Sequence, residues 1–72
     1  MTMEEITFTL TKEFIELNKL LKFVGAVNSG AESGILISEG IVMVNKEIEL
    51  RKRRKMRKGD VVNVENIQIL VI

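Results

Sequence analysis

The stretch RKRRKMRK, Arg51 to Lys58, places seven basic residues in eight positions of a chain that holds only eleven Lys and Arg. The chemistry open to such a run is polyanion binding. Arg51, Arg53, Arg54 and Arg57 carry planar forks that donate two parallel hydrogen bonds to a phosphate, while Lys52, Lys55 and Lys58 add mobile point charges. The other basic residues, Lys12, Lys19, Lys22 and Lys46, are outweighed by ten acidic ones, so the run supplies +7 and the remainder carries −6. A formal net charge of +1 therefore conceals a dipolar layout with one localised positive potential.

No other group of residues suggests chemistry. The chain has no His and no Cys, which removes the usual neutral-pH base, thiolate nucleophiles and disulfides. No Ser stands near a base. The acidic pairs Glu4/Glu5 and Glu47/Glu49 lie in strand-like sequence without metal-ligand spacing. NSGAESG contains glycines but lacks the lysine of a phosphate-binding loop. A non-enzyme is expected, with no cofactor, metal or small-molecule substrate.

The elements that must position the run follow from periodicity. EEITFTL alternates, with Ile6, Phe8 and Leu10 facing one way, and reads as a half-buried strand. Leu17, Leu20, Leu21 and Val24 form one helical stripe that leaves Lys19 and Lys22 exposed, and Gly25 is a suitable stop. Ser29 followed by Glu32 fits a capping box opening a second helix to about Glu39, with Ala31, Ile35 and Leu36 turned inward and Gly40 as the left-handed terminator. IVMV and EIEL flank an Asn45-Lys46 turn, with Ile48 and Leu50 on one face. VVNVE and IQILVI form a terminal hairpin turning near Asn66. The basic run lies between strands and is held at both ends, with Met56 a hydrophobic break that anchors it. As an extended segment it sets Arg51, Arg53, Lys55 and Arg57 in one row. Phe8, Phe14, Phe23 and Met43 read as core, and Asn45 as a turn former only.

The order predicts an α+β domain: two short helices packed on a small, mostly antiparallel sheet of about five strands. Seventy-two residues make one domain, 1–72, which buries roughly 60% of its unfolded surface. An apolar content of 46% supports an ordered core. No apolar run reaches the roughly 20 residues of a membrane span. The acidic start MTMEEITF lacks a secretory pattern. The expected protein is soluble and cytoplasmic, and either a monomer or paired with a copy of itself through an exposed sheet edge.

The span from Phe14 to about Glu65 resembles the S-four RNA-binding domain, whose signature pairs a helix–turn–helix-like motif with I-x-x-G-x-V-x-V-N-G and a late P-G-D. LISEGIVMVNKE and KGDVV stand at that spacing, and SGAES resembles the short stand-alone bacterial members. Glu16 and Asn18 stand where the family has Arg and Asp, and Gly30 where a basic residue is frequent. The resemblance implies binding of structured RNA, ribosomal or transfer, in translation or ribosome assembly, with the ribosome as a partner. The departures shift the expected contacts to Lys19, Lys22, Ser29 and the run Arg51, Lys52, Arg53, Arg54, Lys55, Arg57 and Lys58. Ser29 acts first as a helix cap. With no Trp or Tyr to stack bases, recognition of backbone shape is expected. Other readings of the run are a solvated face, a nuclear address, or an adaptor surface for an acidic protein. A ubiquitin-like carrier, suggested only by size and the terminal β segment, lacks the C-terminal Gly-Gly.

Overall fold

The computed structural model describes residues 3–72; Met1 and Thr2, the first residues of the stretch read for a leader, lie outside them. The chain runs β1 (Glu4–Phe8), β2 (Ile15–Glu16), α1 (Leu17–Phe23), α2 (Gly30–Ser38), β3 (Val42–Val44), β4 (Glu47–Ile48), β5 (Lys55–Met56), β6 (Val61–Val64) and β7 (Ile67–Val71). Five strands form one sheet in the order β1-β7-β6-β3-β4, and β2 pairs with β5 in a separate two-stranded ribbon. All pairings are antiparallel except β1 with β7, where Ile6 stands opposite Ile69 and Phe8 opposite Val71. The α+β architecture is as expected.

One layer of the core comes from the sheet: Val42, Val44, Val62, Val64, Ile69 and Val71 alternate inward. The other comes from α1, whose Leu17, Leu20 and Leu21 are fully buried, and from Val27 and Ile37. Gly25 and Gly40 both adopt positive φ and end the two helices, as their positions predict. At the second, Gly40 N–H donates to the Ile37 carbonyl at 3.1 Å.

The inward face of α2 is not the expected one. Ser33 and Ile37 are buried and Leu36 half-buried, while Ala31 and Ile35 are exposed. A serine can replace an apolar residue there because its hydroxyl donates to the Gly30 carbonyl one turn back, at 2.7 Å. The EIEL segment is also reversed. Ile48 and Leu50 share a face, but it is the solvent face, each being 63% exposed, and Glu49 is the buried residue at 6%. Met43 is half-buried rather than full core.

Candidate nucleic-acid interface

Five local structures hold the basic run. Met56 is fully buried in the core, so the hydrophobic break does anchor the loop. Lys55–Met56 forms β5 and pairs with Ile15–Glu16, immediately before α1. The first amides of α1 donate into the run: Leu17 N–H to the Arg54 carbonyl and Asn18 N–H to the Lys52 carbonyl, both at 2.9 Å. The N-cap residue Glu16 makes no side-chain cap bond, so the loop's carbonyls satisfy amides that a helix start leaves unpaired. Downstream, Asp60 accepts from Arg57 N–H at 2.7 Å. Asn45, expected only to form a turn, links strands as well. Its side chain donates to Asp60 Oδ1 at 3.1 Å and accepts from Val61 N–H at 3.0 Å.

The fifth hold is Glu49. Its carboxylate accepts from Arg51 N–H and Nε, both at 2.9 Å, from a terminal Arg51 guanidinium nitrogen at 3.1 Å, and from Arg54 at 2.7 Å. Hydrogen bonds from Arg51, with Arg54 adding to them, hold the Glu49 carboxyl down to about 2, against burial, which raises it. The same pairing raises the Arg51 guanidinium. The run is therefore not the extended row expected of it. Residues 51–54 form a turn, with Arg54 N–H donating to the Arg51 carbonyl at 3.2 Å. A buried acceptor between two arginines outweighs the strand alternation.

The structure places the cations of the basic run in three groups. Arg51 and Arg54 face Glu49, and the Arg54 side chain is only 28% exposed. Lys55 and Arg57 lie over the Phe14 ring, 4.8 and 5.8 Å from its centroid, and Arg57 also meets Glu13 at 3.2 Å. Lys52, Arg53 and Lys58 are exposed and make no ion pair among the described residues. Lys19 follows the two docked amides on α1 and stands 3.7 Å from Glu16. Lys22, one turn on, is exposed in the last turn of α1. Ser29 caps α2, accepting from Glu32 N–H at 3.1 Å. Lys52 shares a shallow groove with Gly30 and Gly34, which brings the loop beside the start of α2.

Three residues that matter here have roles other than those the sequence suggests: Glu49 reads there as half of an acidic pair without metal-ligand spacing, and Phe14 and Phe23 as core. Glu49 carried a signal, since Arg51 falls two residues on and strand spacing puts both on one side. Phe14 and Phe23 carried none. Phe14 is half-buried under cations, and Phe23, expected in the core, is 74% exposed, with its ring perpendicular to that of Phe8 and the centroids 5.1 Å apart. The α1 stripe is filled by leucines, and Phe23 lies off it. Among the described residues no group of three or more acidic side chains converges to hold a metal. No described helix is long and apolar enough to cross a membrane.

A family model described as S4 domain matches residues 8–72. The chain belongs to the S4 domain family. Within that family, the Escherichia coli protein YbcJ is 40% identical over 67 residues, covering 92% of this chain and 96% of YbcJ. The solution structure of YbcJ superposes with a TM-score of 0.66 over 89% of this chain and 85% of that one, and is described as revealing an ALFAL motif involved in RNA binding. A Bacillus subtilis relative named "Probable ribosome maturation protein RlbA" is 37% identical over 57 residues, 79% of this chain and 80% of its own.

Proposed function

We propose that this chain binds structured RNA, ribosomal or transfer, as a non-catalytic cytoplasmic module acting in translation or ribosome assembly. The observation that carries the reading is the basic run itself, docked by backbone hydrogen bonds onto the start of α1 and pinned by Met56 and Glu49. A tail or a solubility device needs no such scaffold. A preorganised loop presents its cations without losing much side-chain and backbone freedom on binding. The S4 domain match and the RNA-binding motif described for YbcJ support the same reading, and RlbA's name supports the ribosomal context. Lys52, Arg53, Lys55 and Lys58 take phosphates, with Lys19 and Lys22 extending the surface along α1.

The test is binding of the purified chain to an RNA hairpin, a single strand and a DNA duplex. The hairpin binds most tightly. The double variant Lys52→Glu/Arg53→Glu loses that binding with an unchanged thermal midpoint, because both side chains are exposed and unpaired among the described residues. Retained binding by the variant, or equal binding of all three nucleic acids, counts against the reading. The alternative, docking of an acidic protein, draws on one observation: the groove that Lys52 shares with α2 also has Ile35 and the exposed Leu50 in its lining. It predicts a protein partner that co-purifies after nuclease treatment.

A further inference from the structure

We infer that the groove between the β1–β2 connection and α1 is a pocket for a single unpaired nucleobase, adjoining the phosphate-binding loop. The inference rests on the RNA-binding reading and adds a base-recognition site to what that reading treats as backbone contact.

The groove is open, about 980 Å³, and its walls are aromatic: Phe8, Phe14 and Phe23 all line it, with Thr9, Thr11 and Lys19. Among the described residues Phe23 is the most exposed large hydrophobic one, at 74%. Its ring is not loose, because the perpendicular contact with Phe8 is a preferred aromatic geometry. An exposed ring held by a second ring is a stacking platform. Phe14, which also lines the groove, carries Lys55 and Arg57 over its ring, so positive charge stands beside the groove at this residue. Those two cations belong to the basic loop, which makes the pocket continuous with the candidate phosphate surface.

The ligand class follows from this arrangement. Two carboxylates and two lysines also line the groove: Glu13 is paired with Arg57, Glu16 with Lys19, and Lys12 is exposed. Their charges balance, so the groove itself has no net charge to draw in a phosphate, while its carboxylates and threonine hydroxyls suit the amino and ring N–H groups of a base edge. A nucleotide fits with its base against Phe23 and its phosphate outside, toward Lys55. Unpaired bases in bulges and loops are the parts of a folded RNA that can be splayed onto aromatic side chains, whereas paired bases cannot leave the stack without cost.

The test compares a fully paired RNA duplex with the same duplex carrying one bulged nucleotide, using the full chain and its Phe23→Ala and Phe23→Trp variants. The wild type binds the bulged duplex about tenfold more tightly, the scale of one base–aromatic stack. Phe23→Ala loses that preference while binding the paired duplex as before, and Phe23→Trp keeps it. Phe23 ring resonances move upfield on addition of the bulged duplex only. Tight but equal binding of both duplexes by the wild type, or a preference that survives Phe23→Ala, overturns the pocket and leaves the RNA reading intact. If neither duplex binds, the RNA reading falls and the pocket falls with it.

Discussion

Glu49 organises the basic loop through charge and hydrogen-bond geometry together. A carboxylate that is 6% exposed must have its lone pairs satisfied, and Arg51 and Arg54 supply four hydrogen bonds. Because the folded-state carboxyl is held at about 2, below its ordinary 4.5, it stabilises the fold above pH 4.5, and that stabilisation is lost as pH falls from there toward 2. Glu49→Gln lowers stability at pH 7 by about 1.5–3 kcal/mol, the scale of hydrogen bonds to a charged group. For a domain of this size that moves the thermal midpoint by roughly 6–24 °C. Thermal melts from pH 7 to pH 2 check both parts: the variant starts lower and falls less between pH 4.5 and 2 than the wild type. An unchanged wild-type midpoint across that window counts against the role given to Glu49. The arginines then divide by task. Arg54 is half-covered and bonded to Glu49, whereas Arg53 is exposed and unpaired among the described residues. Arg54→Ala costs stability and Arg53→Ala costs RNA affinity, so melts and binding assays on the two variants respond in opposite ways.

At the level of elements, periodicity located the strands and both helices, and the glycines at Gly25 and Gly40 located the helix ends, because each of these is set by contacts between near neighbours in the chain. Two of its misses depended on partners far away in sequence. The two-stranded ribbon joins Ile15–Glu16 to Lys55–Met56, and strands of two residues leave no pattern to read. The parallel contact of β1 with β7 likewise joins the two ends of the described chain. The inward face of α2 was misread because Ser33 hides its polarity in a bond to its own helix. The turn between β3 and β4 shows where the sequence departs from what its backbone asks. Asn45 and Lys46 have φ of 51° and 72°, the primed-turn geometry in which Asn-Gly is favoured. Asn45 accepts this readily and Lys46 does not, since left-handed backbone costs a residue with a Cβ about 1 kcal/mol. Lys46→Gly therefore raises stability by about 0.5–1 kcal/mol in chemical denaturation, with RNA binding unchanged because Lys46 lies outside the loop. A destabilised variant shows that the side chain holds something the strain argument omits.

For the whole molecule, the question is how much of the +7 in the run is free to act on a partner. The sequence counts cations, but it cannot say which already face carboxylates, since those pairings join Arg57 to Glu13 and fold Arg51 and Arg54 back onto Glu49. Three of the seven are so engaged, which leaves Lys52, Arg53, Lys55 and Lys58. Each phosphate neutralised releases counterions, contributing roughly 0.7–0.9 to the slope of log affinity against log salt. The four free cations of the run thus predict a slope near −3, rising to about −4 to −5 where Lys19 and Lys22 on α1 are engaged as well, whereas all seven of the run acting together predict about −5 to −6 before the α1 lysines are counted. A slope of −3 corresponds to a loss of about 60-fold in affinity between 50 and 200 mM salt. Lys52→Glu/Arg53→Glu removes two of the four, so the run's share of any residual slope at low salt is no more than about −2. A wild-type slope near −6 means that the partner strips Arg51, Arg54 and Arg57 from their carboxylates. In that case Glu49→Gln, by releasing two arginines in advance, strengthens binding. With a slope near −3 the same substitution leaves the number of phosphates engaged unchanged and acts on the fold alone. Titrating wild type and Glu49→Gln against one RNA across the salt series therefore separates a loop that binds in the form described from one that rearranges as it binds.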